Sequence, residues 1–196
     1  MNMKRIILGT LFFTVIGCSE NIKILEERIK AQAERNNTEM SVADIKKTAL
    51  FLDAWGKEDY YQEDINKFKD QDLIDFPKDI EVLFTGSSSI RFWNSLEEDM
   101  KPLKVLNRGF GGAHIVHVNY HFEDVVSLYN PQAIVFFCGT NDITALKTAK
   151  ETVEDFKIFQ NKVRTNLPNV PIFVIGIKPS PARKYIEQEE LEYNKL

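Results

Sequence analysis

The pattern of apolar and polar positions changes once along the chain, near Tyr60. Residues 19–58 are rich in charged and helix-forming residues. Four apolar residues recur there at helical spacing: Val42, Ile45, Ala49 and Leu52. Ser41 and Asp44 form a capping-box pattern at the start of this stripe, and Gly56 follows its end. We therefore expect a helix here, within an extension that serves as a spacer, a packed helical arm or a partner surface.

Beyond Tyr60, short apolar runs alternate with helical segments. The predicted strands are 81–85, 104–106, 133–138 and 171–177. The predicted helices are a short one around Ile65 and longer ones near 89–99, 113–129 and 148–167. Continuous apolar strands that alternate with helices are typical of a parallel, doubly wound sheet. The sequence thus predicts an α/β fold whose functional site lies beyond the carboxyl ends of the strands.

The first residues have the pattern of a targeting segment. Two basic residues precede an apolar run over residues 6–16, which is short for a membrane span and typical of a signal peptide. The run ends at Gly17-Cys18, which resembles a bacterial lipobox. We predict a lipoprotein signal peptide at 1–17, a lipid anchor on Cys18, and an envelope location on the periplasmic or outer-membrane side. The alternative is an ordinary secretory signal with an incidental cysteine.

Composition narrows the function classes. The formal net charge of −4 and the lack of a basic cluster argue against nucleic-acid binding. Apart from Cys18, the chain has one cysteine, Cys138, which lies in an apolar run and is expected in the core. An intrachain disulfide framework is therefore not expected. We predict a helical extension at 18–59 followed by a single domain at 60–196.

Three short motifs follow the first three predicted strands. They are Gly86-Ser87-Ser88-Ser89-Ile90-Arg91, Asn107-Arg108-Gly109-Phe110-Gly111-Gly112 and Gly139-Thr140-Asn141-Asp142. Taken singly, each has an ordinary explanation: serine runs form N-caps and turns, glycine-rich turns bind phosphate, and Asn-Asp pairs form Asx turns. The glycines lack the spacing of a dinucleotide fingerprint and no Walker loop is present, which argues against a flavodoxin-like nucleotide binder.

Taken together, the motifs resemble those of the SGNH (GDSL-like) esterases and acylhydrolases, in particular the branch with Gly-Ser-Ser-Ser-Ile-Arg in its first block. The resemblance begins near Tyr60 and includes Ile177-Lys178-Pro179-Ser180-Pro181-Ala182-Arg183. It implies a three-layer α/β/α fold with a flavodoxin-like parallel sheet, and hydrolysis of a carboxylic ester without metal or cofactor. It also implies that Ser88 is the nucleophile, and that the oxyanion hole consists of the Ser88 and Gly112 backbone amides and the Asn141 side chain.

The chemistry gives each of these residue types a reason. A serine that attacks an ester carbonyl creates a tetrahedral oxyanion, which fixed N–H donors stabilise; losing one donor typically costs about 2.7–4 kcal/mol. A glycine such as Gly112 lets the backbone approach closely, and an asparagine such as Asn141 donates without carrying charge. The partial positive field at a helix start would favour the alkoxide of Ser88. The expected substrates are small-molecule esters, either carbohydrate acetyl esters or lipid esters.

The resemblance is incomplete in one block. In the SGNH family the base is a histidine in an Asp-x-x-His motif after a fifth strand, and no such motif follows Asn141. We therefore expect this sequence to lack the last strand and helix of the fold, with its fourth strand as an exposed apolar edge. The alternative function is a catalytically impaired or non-catalytic envelope lipoprotein, which binds a ligand or needs a partner chain.

The remaining candidate side chains receive supporting roles. The three histidines, His114, His117 and His121, fall on one side of a predicted helix, and a single helix rarely supplies three zinc ligands. We expect them at the boundary or surface of that helix. His114 would serve as a substitute base only with its Nε2 within about 3 Å of the Ser88 hydroxyl. We expect Asp142 to orient the Asn141 loop without a catalytic role.

Overall fold

A computed structural model describes the backbone of residues 4–196 and the side chains of residues 20–196. The chain divides into two compact units, Met1–Lys57 and Glu58–Leu196. The side chains of the predicted signal peptide and of Cys18 lie outside the described residues. Within the described part, no helix is both long enough and apolar enough to cross a membrane.

The first unit contains two helices that pack against each other, α1 (Lys4–Arg35) and α2 (Val42–Trp55). The Ser41 side chain caps α2 by accepting a hydrogen bond from the Asp44 amide at 3.1 Å, as the capping pattern predicts. Three of the four stripe residues are buried, whereas Val42 is 80 % exposed, because it is the first residue of the helix. Whether the extension serves as a spacer, a packed helical arm or a partner surface stays a prediction.

The second unit alternates helices and strands as predicted. Its elements are α3 (Gln62–Ile74), β1 (Val82–Gly86), α4 (Ser88–Arg91), α5 (Leu96–Asp99), β2 (Val105–Gly109), α6 (Ile115–Tyr120), α7 (Phe122–Val125), β3 (Ala133–Phe137), α8 (Thr140–Thr144), α9 (Ala149–Asn166), β4 (Ile172–Val174) and α10 (Glu187–Tyr193). Short 3₁₀ turns lie at Ser127–Tyr129 and Pro181–Ile186. All strand pairings are parallel, in the order β2-β1-β3-β4. The predicted α/β class is confirmed.

Alternate residues of the strands supply two apolar layers. On one face, Leu83, Ile134 and Phe136 join the main core with α3, α6, α7 and α9. On the other face, Phe84 and Val105 pack with residues of α4 and α5. Because successive side chains of a strand point to opposite faces, helices on both sides make a three-layer α/β/α unit.

The helix α9 is fixed by a cap at its first turn and by core packing along its length. Thr148 caps it by accepting from the Glu151 amide at 3.2 Å, and the Glu151 carboxylate accepts from the Thr148 amide at 2.7 Å. This is a capping box, in which each partner satisfies a free N–H of the other. The helix buries Phe159 and Val163 against the main core.

Two predicted helices are interrupted. The segment predicted as one helix over 89–99 forms only α4 and α5, because the Ile90 carbonyl accepts from the Trp93 amide and from Asn107 Nδ2 rather than continuing an α-helical ladder. The segment predicted over 113–129 begins later, at Ile115, since His114 is an extended N-cap residue. It is interrupted at His121, between α6 and α7, and ends before the 3₁₀ turn.

The fourth strand is shorter than predicted and lies at one edge of the sheet. It spans three residues, Ile172–Val174, rather than 171–177. Phe173 and Val174 are 58 % and 47 % exposed, so the apolar edge expected for this strand is present.

Candidate functional site

The three motifs meet at the carboxyl edge of the sheet. In the register of the strands, Gly86 at the end of β1 lies opposite both Gly109 of β2 and Phe137 of β3. The alignment continues one step further, because the Ser87 amide donates to the Phe137 carbonyl at 2.9 Å. The loops that follow these three strands therefore leave the sheet side by side, as the sequence predicts.

Ser88 lies in a tight strand-to-helix turn that only glycine permits. Gly86 has φ of +129°, and a Cβ at this position would lie 2.0 Å from the Phe137 carbonyl oxygen. Ser87 is buried as the N-cap of α4, and Ser88 is the first helical residue and half-buried. Because α4 is a single turn, its N-terminal field is weaker than the field of the long helix predicted here.

Two residues at the end of α4, Ile90 and Arg91, contact neighbouring elements. The Arg91 guanidinium lies 3.7 Å from the Asp64 carboxylate and over the Phe92 ring. Asn107 Nδ2 donates to the Ile90 carbonyl at 2.6 Å, which ties the second motif directly to the helix of Ser88.

Gly112 lies in the loop between β2 and α6 and is half-buried. The start of this loop is fixed by Asn107, whose Oδ1 accepts from the Gly109 amide at 2.9 Å. Its end is fixed by His114, which caps α6. The Gly112 amide is therefore carried by a short loop held at both ends.

Asn141 is in the second position of α8, directly after the turn at Gly139, whose φ of +118° again requires glycine. The side chain is half-buried, and its Nδ2 donates to the Ala113 carbonyl at 3.0 Å. A primary amide nitrogen carries two N–H groups, so one such bond leaves a second donor for another acceptor. The third motif is thus bonded to the residue that follows Gly112.

Asp142 takes part in the site more directly than predicted. Both of its carboxylate oxygens accept from the Ile115 amide at 3.2 Å, and Lys147 Nζ lies 3.7 Å from Oδ1. Lys147 Nζ also contacts the Asp155 carboxylate at 2.5 Å. Burial raises the pKa of Asp142 to about 7, although Lys147 opposes this shift. The carboxylate therefore links two loops of the site and titrates near neutrality.

The three histidines are in the core, so the expectation of a boundary or surface position is wrong. They are each at most 3 % exposed, and His117 Nδ1 accepts from the His114 amide at 2.8 Å. Burial, together with His117 and Lys147, lowers the pKa of His114 to about 2. A neutral imidazole with so low a pKa is a poor proton acceptor. Among the described residues, no group of three or more histidine, cysteine or acidic side chains is placed to hold a metal ion.

Sequence reasoning missed one buried ionic cluster, which is formed by Arg108, Asp72 and Tyr129. Arg108 pairs with the Asp72 carboxylate, donates through Nε to the Tyr129 hydroxyl at 2.7 Å, and stacks on the rings of Phe68 and Tyr129. Burial and the Asp72 hydrogen bond raise the pKa of Tyr129 to about 12. The cluster anchors the end of β2, and the only local signal for it was an arginine just after the predicted strand at 104–106.

A cavity of about 470 Å³ lies beside the second motif. Arg91, Asn107 and Phe110 are among the residues that line it, together with residues of α3. Ser88 does not line this cavity. The cavity is therefore adjacent to the edge at which the three motifs meet.

The chain matches no protein-family model and no curated protein. It is similar in structure to a candidate acylhydrolase from Bacteroides fragilis, with 22 % identity over 64 % of this chain and 66 % of that one, at a TM-score of 0.56. A GDSL-like lipase from Bacteroides thetaiotaomicron has 18 % identity over 67 % and 69 % of the two chains, also at 0.56.

A candidate platelet activating factor from Streptococcus pneumonia has 22 % identity over 63 % of this chain, at a TM-score of 0.55. The match spans 57 % of the length of that protein. Identities this low establish the fold alone, and the fold of this chain is that of the SGNH (GDSL-like) hydrolases.

Proposed function

We propose that this chain is a serine ester hydrolase of the SGNH type, with Ser88 as its nucleophile. The observation that carries the proposal is the set of hydrogen bonds that joins the three motifs. Asn107 bonds the second motif to the helix of Ser88, and Asn141 bonds the third motif to the second. A serine and two loops with available N–H donors are thereby held at one edge of the sheet.

The proposed reaction proceeds by acyl transfer. The Ser88 hydroxyl oxygen attacks the ester carbonyl carbon as its proton passes to a base, and the carbonyl oxygen becomes an oxyanion. The backbone amides of Ser88 and Gly112 and the side-chain amide of Asn141 donate to that oxygen. The C–O bond to the alcohol breaks, the alcohol takes a proton, and water then hydrolyses the acyl-serine. We propose small esters, either carbohydrate acetyl esters or lipid esters, as substrates.

The test compares two adjacent serines. Hydrolysis of p-nitrophenyl acetate should be abolished in Ser88→Ala and retained in Ser89→Ala, which changes an exposed serine of the same turn. Asn141→Ala should lower kcat by about 10²–10³-fold, since it removes one oxyanion donor. Turnover in Ser88→Ala at the wild-type rate, with a normal circular dichroism spectrum, would sink the assignment.

A second candidate function is favoured by the positions of the histidines. All three histidines of the chain are buried, and the low pKa of His114 makes it a poor base for Ser88. A non-catalytic envelope protein that binds an ester or needs a partner chain would fit this observation. Wild-type protein without turnover, which still binds a boronic acid that mimics the tetrahedral intermediate, would favour this function over hydrolysis.

A further inference from the structure

The loop after Gly112 and the turn after β3 are bonded at three points. The Ala113 carbonyl accepts from Cys138 Sγ at 3.2 Å and from Asn141 Nδ2 at 3.0 Å. The third bond runs in the opposite sense, from the Ile115 amide to the Asp142 carboxylate. These bonds set the separation between the two loops that carry the proposed oxyanion donors.

Asp142 is the one charged member of this set, and it is fully buried. The charged groups that face it are Lys147, from the turn after α8, and Asp155, from α9. Two further ionisable groups lie near, Cys138 at the end of β3 and Tyr193 on α10, and burial raises the pKa of both, so they are neutral. The net charge of this region therefore depends on whether Asp142 is ionised beside the oppositely charged pair of Lys147 and Asp155.

We propose that Asp142 is a positioning residue, which in its ionised form draws the Gly112 loop and the Asn141 amide into the geometry that receives the oxyanion. The proposal deepens the proposed function and rests on it for the role of Gly112 and Asn141. Asn141 and Asp142 are consecutive residues of the one-turn helix α8, so a movement of the Asp142 carboxylate is transmitted to the neighbouring Asn141 amide. A displacement of about 1 Å in such a group can lower a rate by about 10²-fold.

The ionised form holds the loop more tightly than the protonated form does. A carboxylate offers acceptors only, and hydrogen bonds to ionised groups are roughly twice as strong as neutral ones. Protonation gives one of the two Asp142 oxygens an O–H group. That oxygen then becomes a weaker acceptor for the Ile115 amide. Lys147 offsets the cost of burying the Asp142 charge only in part, because its ammonium lies closer to Asp155 than to Asp142.

The first experiment needs neither turnover nor a variant. In the full-length wild-type chain, the ¹H–¹⁵N resonances of Ile115, Gly112 and the Asn141 side chain are followed between pH 5 and pH 9. All three should shift with one common midpoint near 7, the pKa of Asp142. A titration seen at Ile115 alone, with Gly112 and Asn141 unaffected, would show that Asp142 is structural only and would overturn the proposal.

The second experiment uses Asp142→Asn, with Asp155→Asn as the matched control. In Asp142→Asn the common titration should vanish, whereas Asp155→Asn should keep it with a changed midpoint, because Asp155 contacts Lys147 and not the loop. Persistence of the Gly112 and Asn141 shifts in Asp142→Asn would contradict the proposal.

The reactivity of Ser88 supplies the functional readout. The maximal rate of labelling by a fluorophosphonate should fall by at least about tenfold in Asp142→Asn, with little change in the concentration for half-maximal rate. A change only in that concentration would contradict a positioning role. Wild-type protein that is not labelled at Ser88 would refute the proposed hydrolase, and the resonance titration would still decide whether Asp142 couples the two loops.

Discussion

Replacing Asp142 by asparagine should change how the stability of the second unit depends on pH. The folded chain holds this carboxyl with a pKa of about 7, against an ordinary value of 3.8, mainly because of burial. Between about pH 4 and pH 7 the folded state therefore keeps a proton that the unfolded state has lost. By linkage, the free energy of unfolding of the wild type falls as pH rises through this window.

The magnitude follows from the two pKa values. A tenfold change in proton affinity is worth about 1.4 kcal/mol, so the gap between 3.8 and about 7 corresponds to about 4 kcal/mol. Asparagine has nearly the same shape and keeps an oxygen for the Ile115 amide, but it does not titrate. The stability of Asp142→Asn relative to wild type should therefore rise by up to about 4 kcal/mol between pH 4 and pH 7, and stay level above pH 7.

Urea unfolding of both proteins at half-unit steps from pH 4.5 to pH 8.5 measures this difference. Asp70→Asn, at an exposed aspartate of α3, is the control and should show no such rise. A difference that is independent of pH, or that falls as pH rises, would refute the reasoning. Agreement would also mean that the residue proposed to position the oxyanion donors destabilises the fold at neutral pH, as functional residues often do.

Two further substitutions test the packing and the surface electrostatics. Phe159→Ala removes a fully buried ring whose centroid lies 4.4 Å from that of Phe136, and should lower the free energy of unfolding by about 3–5 kcal/mol; an unchanged urea midpoint would contradict the described core. Asp99 accepts from Ser95 and Trp93 at 2.6 Å, and these bonds lower its pKa. Asp99→Asn should therefore destabilise the chain at pH 7, and this effect should decline as the pH falls below the ordinary aspartate pKa of 3.8; an effect that does not change with pH would argue against these bonds.

The positions of the strands and of the three motifs could be read from the sequence, because buried parallel strands are continuous apolar runs. The N-caps at Ser41 and Thr148 are equally predictable, since each depends on two residues that lie three positions apart. Local periodicity did not reveal where helices break. The predicted helix over 89–99 is interrupted because Asn107, from a neighbouring strand, bonds to the Ile90 carbonyl.

The candidate site was predictable as a set of residue types, but its connections were not. Ser88, Gly112 and Asn141 follow strand ends, and parallel strands place their carboxyl ends together. The bond from Ile115 to Asp142 joins residues 27 positions apart, and no spacing rule connects them. The role of Asp142 therefore became visible only with the fold.

The sequence by itself determined the α/β alternation, the strand ends and the chemistry offered there, because these depend on local patterns of apolar residues and turns. Only the tertiary structure decided which polar side chains are buried. The histidines, predicted at the boundary or surface of their helix, lie in the core, and Arg108 pairs with an aspartate 36 positions away. Burial and pairing depend on which elements pack against one another, and the proton affinity of a group such as Asp142 depends on both.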